Sequence, residues 1–468
     1  MRYSAANLCI HYYTLDFLKN KCNPDSLPKE YHVARKKIPY ANPADGTTIP
    51  KSALKENTGI KLESFIFDVC ALSDNMAALM VSRDEEFSPV KNKEGKDSPA
   101  TARQIFSDLS IARLRDAGAV IVEGKVEDGD EAYCEVSGLV SYDGEDLDVL
   151  SGVKLRKPFL VQAQSEAQRS ELAGSGRVRH SRRGGINVYT IVASATTTNY
   201  GAGSANELGL RSRYADAGQD QVFRFLDQGM VSGQGKAQLL RQLAEIDLDY
   251  VNGLFRDTMA GANDESKQRL EPMDDVAQLE DTPVEERARW FYRGLEAVAA
   301  GEVAALVLAG GQGSRLGFDR PKGEYDLRLP SHKTLFEIMA DKIKKVRKLA
   351  ARASGRQFRD VFLPWYIMTS PMTDADTRAF FEKHRNFGLG ANAVVFFSQG
   401  TLPCFTTEGK IMLESASKVA KAPDGNGGIY RALHLSGCVR DMERRGIKHI
   451  HAFAVDNAVC KVADPLWI

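Results

Sequence analysis

The sequence predicts an α/β protein: a mostly parallel sheet flanked by helices, with a helical segment and a small β-rich unit attached. Three observations predict it. The apolar runs at 303–309, 365–369, 393–397 and 450–455 are short and continuous, as buried strands are. Between the first two, Leu335, Ile338, Met339, Ile343, Val346 and Leu349 fall on one helical face. Strands that alternate with helices in this way build a parallel sheet covered on both faces. The third observation is the cluster of Gly and Asp turns between short strands at 93–162.

The elements divide the chain into five stretches. Residues 1–92 mix strands and helices, and 61–69 reads as a strand that starts with period-2 alternation and turns continuously apolar. Residues 93–162 read as a helix over 100–115 followed by a small β-rich domain. Residues 163–220 are basic and Gly-rich around 177–185 and Ala/Ser/Thr-rich at 193–206. That composition buries too little apolar surface to order a backbone, so the stretch reads as a flexible linker with one short strand at 186–192. Residues 221–300 are helical, with Leu239, Leu240, Leu243, Ile246 and Leu248 as an apolar stripe and Pro283 opening a helix after Thr282. Residues 301–468 carry the alternating strands and helices, with Ser331 as the expected helix cap.

Composition removes several function classes. Of the 468 residues, 43% are apolar and 26% charged, and 62 basic residues balance 62 acidic ones. A neutral chain lacks the basic surface that bulk nucleic-acid binding needs. No apolar run approaches the roughly 18 residues that span a membrane, and no signal peptide is expected at the start. Seven cysteines, odd in number and never spaced CxxC, fit reduced thiols in a cytoplasmic protein, with Cys404 and Cys460 packed. The eight histidines form no HExxH pattern, and His449 and His451 alternate along a predicted strand. Nothing in the sequence implies a protein partner.

The chemistry concentrates at 308–317, LAGGQGSRLG, followed by Pro321-Lys322-Gly323. A buried strand runs into a loop with glycines at 310, 311 and 313. Absent side chains let backbone N–H groups approach phosphate oxygens. Arg315 can fork onto a phosphate and Lys322 adds a second cation. The loop is neither GxxxxGK[ST] nor GxGxxG, so the P-loop and dinucleotide fingerprints both fail.

This loop, with Phe397-Ser398-Gln399-Gly400, APDGNGG at 422–428 and Val455-Asp456-Asn457, resembles the UTP-using sugar-nucleotide pyrophosphorylases. The APDGNGG stretch narrows the resemblance to the eukaryotic UDP-N-acetylglucosamine pyrophosphorylase family, whose nucleotidyltransferase sheet is Rossmann-like. Residues 221–468 resemble the first part of such an enzyme. Residues 1–162 resemble its last part, through Ala6-Asn7 with His11-Tyr12-Tyr13-Thr14, 34–40, 59–63, 86–92 and Thr101-Ala102-Arg103. The expected organisation is therefore permuted: 1–92 is the second part of the catalytic α/β domain and 301–468 its first part, with a middle segment missing.

The resemblance implies a uridylyltransferase that joins UTP and N-acetylglucosamine 1-phosphate into UDP-N-acetylglucosamine and pyrophosphate. Leu308, Ala309, Gly310 and Gly311 would present backbone to uracil and phosphates, and Gln399 and Gly425 would face the uracil edges. Arg315 and Lys322 would hold the leaving pyrophosphate, Lys61 the α-phosphate and Lys91 the sugar phosphate. Asn426 and Asn7 would bind the sugar, and Asp456 would ligate Mg²⁺. Two alternatives stay open: a non-catalytic permuted fragment, or gene-model artefact, of the same family, and a pyrophosphorylase for another UDP-sugar. If the two parts form one unit, Lys61 and Lys91 must share a cleft with Gly311, Lys322 and Asp456.

Overall fold

The computed structural model describes residues 8–28, 31–124, 133–163, 180–183, 186–189, 207–231, 233–261, 276–390 and 392–468. Its centre is a five-stranded sheet in the order Ile10–Thr14, His449–Ala454, Val303–Leu308, Trp365–Thr369, Val394–Ser398. The last four run parallel, and Ile10–Thr14 adds an antiparallel edge, with Tyr12 opposite His451. The fold class is α/β, as the sequence predicts.

Side-chain alternation explains why both faces are covered. Val303, Ala305 and Val307 join Trp365 and Ile367 in a core with the helices Val284–Ala300 and Leu335–Ser354. Ala304, Leu306 and Leu308 join Tyr366 and Met368 in the opposite core with Ile429, Tyr430 and Leu433. Tyr13 and Leu18 lie in that second core, so the front of the chain completes it. A third core combines Leu239, Leu243 and Leu254 with Ile60, Leu62, Phe405 and Val419. It draws on the helical segment, the front and the back at once.

The helix Pro99–Asp116 packs on short strands that include Cys134–Val136 and Phe159–Val161. Charged groups bind this unit to the back of the chain. Glu135 accepts hydrogen bonds from the Ser331 amide and hydroxyl, both at 2.7 Å. Lys461 Nζ lies 2.9 Å from Glu86 and 2.6 Å from Asp143. Asp146 meets Lys345 at 2.7 Å and the Arg352 guanidinium at 2.5 and 2.9 Å.

Three expectations are corrected. The strand predicted over 61–69 is Gly59–Glu63; Ser64 then turns to bond the Asp424 carbonyl, and Asp68–Leu72 is a 3₁₀ turn. The stretch read as linker contains the helix Glu207–Asp216, whose Leu210 and Tyr214 are buried in the third core. The short strand expected at 186–192 is present as Ile186–Tyr189, which runs parallel to Phe159–Val161. Helix Leu335–Ser354 is capped by Thr334 in a reciprocal box with Glu337, because Ser331 is taken by Glu135. The helix expected to open at Pro283 runs Val284–Ala300 with Pro283 at its N-cap, and the Thr282 hydroxyl donates to the Gln278 carbonyl.

Candidate functional site

The four parallel strands all end on one side of the sheet, and each delivers a residue there. Leu308 leads into the glycine loop, Thr369 into Ser370, Ser398 into Gln399, and Ala454 into Val455 and Asp456. The carboxyl ends of parallel strands are where α/β proteins bind ligands.

The glycine loop is held from several directions. Gly313 N–H donates to the Arg320 carbonyl at 2.9 Å and Lys322 N–H to the Gly311 carbonyl at 3.1 Å. The buried Ser370 hydroxyl donates to the Gly310 carbonyl at 2.8 Å and is itself braced by Thr373 Oγ1 at 3.0 Å. A Cβ at position 310 would stand 2.8 Å from Gln399 Oε1, so any side chain there would displace the Gln399 amide. The Ala309 N–H is taken by the Met368 carbonyl at 2.8 Å, which removes it from the amides able to meet a phosphate. Arg315 is exposed on the 3₁₀ turn Ser314–Leu316.

Lys322 Nζ lies 3.2 Å from Asp456 Oδ2, and both side chains are mostly buried. The front of the chain reaches the same place. Val90 N–H donates to the Asp456 carbonyl at 2.8 Å, which sets Lys91 beside it. Asn457 clamps the same segment, accepting from Ser88 N–H at 2.9 Å and donating to the Glu86 carbonyl at 2.6 Å. Cys9 lies between these groups: burial and the Asp456 charge push its thiol up, while Asn426 and Lys91 pull it down.

Lys61 enters from another side. Its strand, Gly59–Glu63, is fastened where Ile60 and Phe405 exchange backbone bonds of 2.7 and 2.8 Å. Its ammonium meets Glu63 Oε1 at 2.5 Å. The chain then runs to Ser64, which bonds the Asp424 carbonyl through both amide and hydroxyl, at 2.8 and 3.0 Å. Gly427 N–H donates back to the Ser64 carbonyl at 2.9 Å. Gly425 takes φ +93°, and a Cβ there would lie 2.1 Å from the Ser64 oxygen, so only glycine fits. Asn426 Oδ1 accepts from Ile66 N–H at 3.0 Å, and its Nδ2 donates to Cys9 Sγ at 3.8 Å.

The structure thus brings Lys322 and Asp456 into contact, ties the backbone beside Lys91 to Asp456 with the Lys91 ammonium over the Phe87 ring, and places Gln399 against Gly310. Lys61 connects to them through the turn at Gly425. Asn7 lies outside the described residues. Sequence reasoning missed Ser370, which no motif marks, and Asp424. A signal for Asp424 existed: it is the acid inside the quoted APDGNGG stretch, between Pro423 and Gly425. It is buried, and burial pushes its carboxyl up to about 7.

Residues 258–467 match the model of the family described as UTP–glucose-1-phosphate uridylyltransferase. The chain is 40% identical over 263 residues to UDP-N-acetylglucosamine diphosphorylase 2 of Arabidopsis thaliana, which is 55% of this chain and 52% of that protein. It is 44% identical over 231 residues to a probable UDP-N-acetylglucosamine pyrophosphorylase of Schizosaccharomyces pombe, 49% of this chain and 48% of that one. Among solved structures, the uridine diphosphate N-acetylglucosamine pyrophosphorylase of Trypanosoma brucei aligns with a TM-score of 0.47 and 28% identity, over 57% of this chain and 54% of that one. The chain spans about half the length of the curated relatives it matches.

Proposed function

We propose that this chain is a uridylyltransferase acting on UTP and N-acetylglucosamine 1-phosphate, releasing pyrophosphate and forming UDP-N-acetylglucosamine. The observation that carries this reading is the meeting of Lys322, Asp456 and the Lys91 segment beside a glycine loop at the carboxyl ends of parallel strands. The similarity to named UDP-N-acetylglucosamine pyrophosphorylases supports it and supplies the sugar.

In this reading a phosphate oxygen of the sugar phosphate attacks the α-phosphorus of UTP in line, and the bond to pyrophosphate breaks. The attacking oxygen is already anionic, so no general base is needed. The protein contributes position and positive charge. Lys322 and Arg315 neutralise the departing pyrophosphate, Lys91 holds the sugar phosphate, and Lys61 serves the α-phosphate after leaving Glu63. Gln399 and the Gly425 backbone read the uracil edge, and Asn426 meets the sugar through Nδ2. Asn7 keeps its sugar role as an expectation.

A divalent cation, Mg²⁺, fits Asp456. Among the described residues no group of three or more His, Cys, Asp or Glu side chains could hold a metal ion. One carboxylate beside a lysine suits a cation that completes its shell with water and substrate phosphates. When bound, it would neutralise phosphate charge. The reading includes a cytoplasmic setting; among the described residues no helix is long and apolar enough to cross a membrane, and Cys22, Cys134, Cys404, Cys438 and Cys460 are buried free thiols.

The test is pyrophosphate release from UTP with N-acetylglucosamine 1-phosphate, N-acetylgalactosamine 1-phosphate and glucose 1-phosphate in parallel. Release with the first and little with glucose 1-phosphate is expected. Release with none of them would refute the reading.

A further inference from the structure

Asp424 is a buried acid without an assigned task. Its side chain sits in a cage made by two glycines. A Cβ at Gly400 would stand 2.5 Å from its Oδ2, and one at Gly428 would stand 2.0 Å from its Oδ1. Gly400 directly follows Gln399, and Gly428 closes the turn that begins at Gly425. One carboxyl therefore touches both segments that, in the proposed function, read the uracil edge. Its backbone adds to the link: Asp424 N–H donates to the Gly400 carbonyl at 3.3 Å, and its carbonyl accepts from Ser64. The Oδ1 atom is buried with no hydrogen-bond partner among the described residues. In a protein interior an unpartnered carboxyl oxygen is costly, most of all when ionised.

We propose that Asp424 is a positioning residue for base recognition: its carboxyl, wedged between Gly400 and Gly428, keys Gln399 to the Gly425 turn and so sets the spacing at which the two read a uracil. The inference rests on the proposed UTP site. The cage accepts a neutral carboxyl more readily than an anion. Burial favours the neutral form; the bond from its own backbone N–H and the Arg431 charge oppose neutralisation without cancelling burial, and Tyr31, whose hydroxyl the Asp424 charge keeps protonated, also faces it. The neutral side chain is therefore the form in which the two segments hold their distance. Ionisation brings a buried anion next to two glycine backbones and loosens the match.

The experiment measures UTP and CTP binding by calorimetry from about pH 6 to 8.5, for wild type, Asp424→Asn and Asp424→Ala, with thermal unfolding of each. Because UTP titrates in the same range, the difference between wild type and Asn is read at each pH. Wild-type UTP affinity is expected to fall relative to Asp424→Asn by roughly three- to tenfold as pH rises through about 7. Asn, of the same shape and always neutral, should keep the wild-type preference for UTP over CTP at about pH 6. Ala should lose most of it. If Asn follows wild type in pH dependence, Asp424 has no part in base reading. The same conclusion follows if a folded Ala variant keeps full preference for UTP. If Ala does not fold, the Asn comparison alone decides. Absence of UTP binding by wild type overturns the proposed function, and this inference falls with it.

Discussion

Lys322 Nζ stands 3.2 Å from Asp456 Oδ2, although the two residues are 134 positions apart in the chain. Parallel strand pairing between Val303–Leu308 and His449–Ala454 brings them together, since each residue follows its strand's carboxyl end. In the proposed function this pair supplies a cation for the substrate phosphates and an anion for a metal, already in contact.

Replacing Asp456 by Asn should lower turnover about a hundredfold or more while the fold persists, because the side chain does not fill a core. Binding of Mn²⁺, followed by water-proton relaxation, should weaken in the same variant. A variant that binds Mn²⁺ as wild type does would take the metal away from Asp456.

Arg315→Ala should cost turnover without costing stability. Arg315 is exposed on its 3₁₀ turn, and exposed substitutions usually stay within about 0.5 kcal/mol. Loss of activity with an unchanged melting temperature is the expected pattern. Wild-type turnover would exclude Arg315 from the reaction.

Gln399→Ala should weaken UTP relative to other nucleoside triphosphates, because the side chain is buried against Gly310 where a base edge would be read. Competition binding with CTP checks it, and an unchanged ratio would move the uracil elsewhere.

Gly425→Ala should destabilise the protein by about 2–4 kcal/mol, combining a left-handed backbone with a Cβ in contact with the Ser64 oxygen. Chemical denaturation measures it. A loss below about 1 kcal/mol would mean that the turn relaxes freely.

Asp146 gives a pH prediction. Burial would raise its carboxyl, but Arg352 and Lys345 together bring it down to about 2. A folded-state value below the unfolded one near 3.8 means the contribution is present above about pH 4 and lost as pH falls towards 2. Asp146→Asn should therefore cost about 1 kcal/mol near pH 7, discounted for partial exposure, and almost nothing near pH 2. Equal losses at both pH values would assign the effect to packing.

The glycine loop and its strand were legible because Val303–Leu308 is apolar on both faces, which only a doubly covered sheet permits. The Thr334–Glu337 capping box was equally legible, three residues beyond the Ser331 chosen as cap; what could not be read was that Glu135, 196 positions away, claims Ser331. Helix Glu207–Asp216 was hidden because Leu210 and Tyr214 are its only buried side chains, too few for a periodic signal beside a low-complexity stretch. The meeting of Lys322 and Asp456 with the segment that carries Lys91 came only through resemblance, since local pattern carries no information about pairing across hundreds of residues. Asp424 was overlooked because an acid beside proline and glycine looks like an ordinary turn residue; its burial depends on Gly400, which arrives from another strand.

The antiparallel pairing of Ile10–Thr14 with His449–Ala454 makes the peptide link between front and back secondary to the surfaces they share. A single cut between residues 163 and 207 would turn one folding unit into two pieces that each lack part of the same cores. Refolding of the cut protein would become second order, faster at higher concentration and stalled on dilution, whereas the uncut chain refolds at a rate independent of concentration. For this molecule the covalent connection sets an effective concentration, and the order in which the chain visits the sheet is kinetic information more than structural information.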